Sequence, residues 1–216
     1  MNNHPTYPLD ISFLQSARAL IETAQQIYQR GWAPATSSNF SARLDTATCA
    51  ITVSGKDKGK LMPDDIMRVD FNGQAYDERK PSAETQLHTQ LYLHDSTIGA
   101  VLHTHSMNAT LASLTAADAI CLKDMELLKA FNGITSHESS LRIPVFANTQ
   151  DIPALASQVS QDMQAHGTGH AYLIRGHGVY TWGRDLNEAM RHLEALEYLF
   201  EFNWRLQGSG RQGQGI

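Results

Sequence analysis

Ile98-Gly99-Ala100-Val101-Leu102-His103-Thr104-His105 is an apolar run that ends in two histidines one residue apart. The apolar part reads as a buried strand. Side chains two apart on a strand leave the same face. His103 and His105 then point together at the strand's carboxyl end, a geometry that suits two ligands of one zinc ion. A third imidazole, His177, stands in Arg175-Gly176-His177-Gly178, between the apolar runs 171–174 and 179–182. Three histidines with one coordination position left open make a Lewis-acid centre rather than a structural staple. An H-x-H pair on a strand end equally fits two hydrogen-bonded surface histidines, so this spacing alone does not decide for a metal.

Outward from this strand, helical and extended patterns alternate. Residues 11–30 carry Leu14, Ala17, Leu20, Ile21, Ala24 and Ile27 at helical spacing, with Asp10 as N-cap and Gly31 as the stop. Residues 39–44 alternate Phe40, Ala42 and Leu44 with polar neighbours, and 50–54 supply a hairpin partner. A third short strand, 66–71, ends at the turn Asn72-Gly73. A helix opens at Ser82, carries Leu87 and Leu91 on one face and reaches His94. Residues 106–113 and 125–131 read as helical, 142–146 as extended, and 152–166 as a helix that tolerates Pro153 in its first turn. The runs flanking His177 read as paired strands. The last helix, 185–205, has capping-box spacing at Asp185 and Glu188 and an apolar stripe of Leu193, Leu196, Leu199 and Phe200. Strands joined by short links among interspersed helices predict an α/β fold with helix layers on a largely antiparallel sheet, not a βαβ repeat.

The chain has 216 residues and is 42% hydrophobic, enough for one substantial core. Residues 1–206 are therefore expected to form a single domain, and 207–216, rich in glycine and glutamine, a disordered tail. Net charge is −5 with no block of like charges, which leaves no footprint for nucleic acid or an acidic membrane surface. Cys49 and Cys121 are the only cysteines, too few for a disulfide framework, so the expected compartment is the cytoplasm. The first ten residues lack the basic and apolar regions of a signal peptide. No apolar stretch approaches the ~20 residues that span a bilayer. Neither G-x-G-x-x-G after a first strand nor G-x-x-x-x-G-K-[ST] occurs, so two common nucleotide-binding folds have no local support.

Three polar loops could serve the same centre. Thr36-Ser37-Ser38-Asn39-Phe40-Ser41 precedes one strand, Ser54-Gly55-Lys56-Asp57-Lys58-Gly59 follows another, and Pro81-Ser82-Ala83-Glu84 opens a helix. Each alone is an ordinary turn or cap. Together they offer hydroxyls, an amide, flexible backbone N–H groups, a lysine and a helix N-terminus, the parts of a phosphate cradle. Glu84, in a first helical turn, either complements the helix dipole or acts beside the metal. Glu126 reads from its position as an exposed helical glutamate. His4, His88, His94, His137, His166, His170 and His192 read as surface or core-satisfied.

Taken in order, Ala35-Thr36-Ser37-Ser38-Asn39-Phe40-Ser41, Val53-Ser54-Gly55, Pro81-Ser82-Ala83-Glu84, His103-Thr104-His105-Ser106 and Arg175-Gly176-His177-Gly178 resemble the class II aldolase family, a zinc-dependent group of aldolases, epimerases and dehydratases. Ser54-Gly55-Lys56-Asp57-Lys58-Gly59, Lys80-Pro81-Ser82-Ala83-Glu84-Thr85, His103-Thr104-His105-Ser106, Glu126-Leu127-Leu128-Lys129 and His177-Gly178-Val179-Tyr180-Thr181-Trp182-Gly183 resemble its dehydratase branch, which acts on a methylthio-bearing pentulose phosphate in methionine salvage. The resemblance implies a three-layer α/β/α subunit with a largely antiparallel sheet, assembled as a homotetramer with a sugar phosphate as substrate. It implies Zn²⁺ on His103, His105 and His177, and phosphate near Asn39, Ser54, Gly55 and Ser82. It implies Glu126 as the acid/base, with Glu84 in the place of the aldolases' catalytic glutamate. Ser38 departs from the family's usual glycine. Cleavage or epimerisation of another sugar phosphate, and a non-catalytic zinc protein that binds a partner, are the alternative functions.

Overall fold

The computed structural model describes residues 11–208. The expected N-cap Asp10 and most of the expected tail lie outside them. Eight strands form one sheet in the order β3-β2-β1-β4-β8-β7-β6-β5. These are β1 Asn39–Arg43, β2 Thr48–Thr52, β3 Ile66–Asp70, β4 Ala100–Thr104, β5 Ala119–Lys123, β6 Ser140–Phe146, β7 Ala171–Ile174 and β8 Gly178–Gly183. Every neighbouring pair is antiparallel except β6 and β7. The helices are α1 Ile11–Gln29, α2 Thr85–His94, α3 Met107–Thr115, α4 Ile152–His166 and α5 Leu186–Gly208.

Strand alternation sorts the core into two layers. Phe40 and Ala42 of β1, Ala100 and Leu102 of β4, and Val179 of β8 pack with α1, α3 and α5. Ile51 of β2, Val101 of β4, and Tyr180 and Trp182 of β8 pack with Leu87 and Leu91 of α2 and with Leu155, Val159 and Met163 of α4. A sheet with an apolar set on both faces needs a helix layer on each, and the three-layer α/β/α arrangement follows. The stripe read on the last helix is core: Leu193, Leu196, Leu199 and Phe200 are all buried.

Three expectations shift. The second helix begins at Thr85, because 82–84 form a turn in which Thr85 N donates to Ser82 O at 3.0 Å. The extended segment expected at 142–146 begins at Ser140, and it pairs with β5, a strand absent from the sequence reading. Helix α5 continues through Gly208, two residues into the expected tail. None of the described helices is long and apolar enough to cross a membrane.

Candidate metal centre

Antiparallel register sets the site. Asn39 of β1 lies opposite His103 of β4, and His103 lies opposite Tyr180 of β8. Cross-strand neighbours share a face, so these three side chains form one row beneath the start of α2. His103 is fully buried, its ring stacked on that of Tyr180 with centroids 4.0 Å apart. Its Nδ1 lies 3.0 Å from Val179 O. A carbonyl only accepts, so Nδ1 carries the proton and Nε2 presents a bare lone pair.

His105 follows the last residue of β4, and its backbone N donates to Trp32 O at 3.1 Å. His177 arrives on the turn between β7 and β8. Gly176 there takes φ 65°, the left-handed region that favours glycine. A Cβ on Gly178 would sit 2.0 Å from Thr104 O and 3.3 Å from His103 Cε1, so only glycine lets this turn close against β4. Arg175 anchors the turn from behind, donating to Ser113 O at 3.1 Å and Ala116 O at 2.9 Å.

The three Nε2 atoms converge. His103 and His105 are 2.8 Å apart, His105 and His177 3.1 Å, and His103 and His177 3.3 Å. Burial, and then the charge of His105 and His177, pushes His103 well below the ordinary imidazole range, and burial, and then the charge of His177, pushes His105 down to about 4. Neutral imidazoles with facing lone pairs repel unless a cation lies among them. Two Zn–N bonds of ~2.0–2.1 Å at a tetrahedral angle put the nitrogens ~3.3 Å apart. The donor set therefore fits one metal ion, held by His103, His105 and His177.

Glu84 closes one side. Its Oε1 is 3.3 Å from His177 Nε2 and its Oε2 is 3.4 Å from His103 Nε2. Asn39 Nδ2 donates to Oε2 at 2.8 Å, and Tyr180 Oη donates to it at 3.1 Å. Glu84 thus lies beside the histidines, one of the two places the sequence left open for it, but Asn39, expected near phosphate, spends its amide on Glu84 and on His88.

Ser54 and Gly55 lie on an exposed loop that a bridge between Val53 and Pro81 brings beside half-buried Ser82. Lys58 of the same loop is buried, and its Nζ donates to Lys56 O at 2.7 Å and to Thr36 O at 3.5 Å. Burial pushes this ammonium down to about 8, and its charge reaches His105. Ser38 takes φ 74°, a region that costs any residue with a Cβ, and its buried Oγ has no hydrogen-bond partner. Glu126 opens the short 3-10 helix Glu126–Ala130 and does not join this cluster. Its side chain is 73% exposed and pairs with Lys129 at 2.6 Å and His137 at 3.9 Å.

The chain matches the family described as the class II aldolase and adducin N-terminal domain over residues 18–204. It belongs to the class II aldolase family. Among curated relatives, the methylthioribulose-1-phosphate dehydratase of Alcanivorax borkumensis is 56% identical over 201 residues, covering 91% of this chain and 95% of the relative. The enzyme of the same name from Methylococcus capsulatus is 51% identical and covers 94% of this chain and 99% of its own. The solved L-fuculose-1-phosphate aldolase of Thermus thermophilus superposes with a TM-score of 0.73 at 22% identity, covering 91% of this chain and 98% of that one. YgbL of Escherichia coli gives 0.76 at 22%, covering 91% of both chains. At such identity the two structures speak for the fold alone.

Within this class II aldolase fold, two contributors to the site escape a reading of single motifs. Tyr180 looks like one more apolar strand residue, yet it both stacks on His103 and donates to Glu84. His88 looks like a core histidine and is one, yet its partner is Asn39. The available signal was spacing: His88 follows Glu84, the N-cap of α2, by four residues, about one helical turn.

Proposed function

We propose that this chain removes water from 5-methylthioribulose 1-phosphate to give 2,3-diketo-5-methylthiopentyl 1-phosphate, a step of methionine salvage in the cytoplasm, with Zn²⁺ on His103, His105 and His177. One observation carries the reading. An open three-histidine centre with an acid beside it stands in a chain whose 56%-identical relative bears that enzyme's name. The two cysteines, both free, agree with a reducing compartment.

The chemical problem is the negative charge that develops on a ketone oxygen as the neighbouring C3 proton leaves. A zinc ion, when bound, supplies Lewis-acid stabilisation of that charge. The protein's own residues do the rest. Burial keeps His103 and His105 neutral, and neutral ligands leave the ion its full charge. Ser54, Gly55 and Ser82 hold the phosphate through hydroxyl and backbone N–H donors, under the positive potential of Lys58. Asn39 borders this subsite while orienting Glu84. Anchoring the phosphate fixes C3 and C4 beside the histidines. A base takes the C3 proton, an acid gives one to the departing C4 hydroxyl, and the resulting enol relaxes to the diketone.

Glu126 serves as that acid/base. On one subunit its carboxyl is solvated and held below its ordinary range by Lys129, the wrong state for giving up a proton. It borders a groove with Leu127, Tyr198 and Phe202, three partly exposed apolar side chains. A homotetramer that covers this groove would desolvate Glu126 and deliver it to a neighbouring subunit's metal centre. Residues 1–206 act as one domain in this assembly.

The test is product identification. Zinc-loaded protein should convert 5-methylthioribulose 1-phosphate into a product lighter by one water. It should leave fuculose 1-phosphate uncleaved and ribulose 5-phosphate unepimerised. Carbon–carbon cleavage, or no turnover of the methylthio substrate, overturns the reading.

A further inference from the structure

Helix α2 and strand β1 present matched spacings to each other. Glu84 at the N-cap of α2, and His88 and Tyr92 within it, are four apart, and Asn39 and Ser41 are two apart along the strand. Glu84 meets Asn39, Asn39 meets His88, His88 meets Ser41, and Ser41 meets Tyr92. The last three of these contacts are buried, and His88 and Ser41 are fully so. The chain of contacts ends, on the metal side, at the carboxylate 3.3 Å from His177 and 3.4 Å from His103.

The chemistry of each member allows only one direction. A carboxylate oxygen accepts, so Asn39 turns its amide NH₂ toward Glu84 Oε2, as the 2.8 Å contact records. The amide oxygen of Asn39 then faces His88 Nε2, and that nitrogen must carry the imidazole proton. His88 Nδ1 is left bare and must accept from the Ser41 hydroxyl at 2.8 Å. The Ser41 oxygen in turn accepts from Tyr92 at 2.7 Å.

We propose that His88 is a positioning residue: its Nε2–H tautomer, completed by the Ser41 hydroxyl donating to Nδ1 and by Tyr92 behind it, holds the Asn39 amide and through it the Glu84 carboxylate toward the metal centre. Burial agrees with this role, since it pushes His88 down to about 3 and keeps the ring neutral at any working pH. The opposite tautomer would set a bare Nε2 against the Asn39 oxygen. The amide would turn over, and two acceptors would face each other where Asn39 now donates to Glu84. The inference rests on the reading of Glu84 as a group that acts at the metal.

Ser41→Ala and Tyr92→Phe test it without touching Glu84 or any metal-ligating histidine. His88→Leu removes both ring contacts, and His88→Gln restores a donor near the Nε2 position. Partners of this kind around a metal site typically change activity ~10–100-fold. Ser41→Ala and His88→Leu should lower kcat by about that factor with KM and zinc content unchanged, and His88→Gln should recover most of it. Long-range proton–nitrogen NMR of selectively labelled protein should show His88 protonated at Nε2 alone in the wild type, and redistributed in Ser41→Ala. A wild-type ring protonated at Nδ1 overturns the proposal. So does a Ser41→Ala enzyme with wild-type kcat, or a His88→Gln enzyme as impaired as His88→Leu. If the wild type fails to dehydrate the methylthio substrate, the function assigned above fails, while the NMR result still judges the hydrogen-bond chain.

Discussion

Removing the metal should lower the stability of this protein by a calculable amount. The three histidine nitrogens stand 2.8–3.3 Å apart with lone pairs facing. They come from β4, the residue just beyond it and the β7–β8 turn, so unfolding separates them. An ion that binds only the folded state stabilises it by RT ln(1 + [L]/Kd), about 4 kcal/mol when the free ion is 1,000 times its Kd. For a chain of 216 residues, ~2–4 °C of Tm accompanies each kcal/mol. Chelation should therefore drop Tm by ~8–16 °C and abolish turnover together, and added zinc should restore both. Scanning fluorimetry beside metal analysis reads the effect directly. His103→Gln provides the control, because it should start at the lower Tm and be indifferent to chelator. If metal analysis shows the ion gone while Tm moves by less than ~2 °C and turnover persists, the histidines do not share an ion and the account of the site fails.

Glu126→Gln should keep its metal and its fold, since on its own subunit Glu126 stands outside the three-histidine cluster and glutamine matches glutamate in size. It should lose ~10²–10⁴-fold in kcat, the usual worth of a positioned proton-transfer group, and an active variant removes it from the mechanism. Gly178→Ala would place a methyl 2.0 Å from Thr104 O, so β8 must shift away from β4. We expect lower metal content as well as lower Tm, both read on the purified variant, and unchanged metal content would refute the close-approach argument. Acid sensitivity follows from His88, whose folded value lies near 3 against an ordinary 6.5. The unfolded chain takes up the proton first, so the stability from this group is complete above about pH 6.5 and is lost as pH falls toward 3. At pH 4.5 the loss is about 3 kcal/mol. Denaturant titrations of wild type and His88→Gln should diverge in slope against pH over that window, and parallel curves would contradict the burial argument.

The elements legible in the sequence are those whose partners lie close by or whose burial is two-sided. β4 could be read because an apolar run of its length, between polar segments, has few other fates. The β7–β8 pair could be read because its glycine-rich turn marks the reversal locally. β5 could not. Only Ile120 and Leu122 of Ala119–Lys123 are buried, and its one strand partner among the described residues, β6, begins at Ser140, beyond an intervening 3-10 helix. An edge strand of that kind owes its existence to a distant neighbour rather than to its own pattern. The same distinction runs through the site. His103 and His105 announce themselves by a period of two on one strand, and His177 by the glycines a tight approach requires. Tyr180 and His88 are defined by register across β1, β4 and β8 and by the helix laid over it, which no single motif encodes. Asn39 shows the consequence: its place in the motif is as expected, yet its amide is committed to Glu84 and His88, so the phosphate contacts we propose fall to Ser54, Gly55 and Ser82. A residue's type and position therefore located the site, while the direction of each hydrogen bond, and hence the division of labour, came from strands that the chain brings together only on folding.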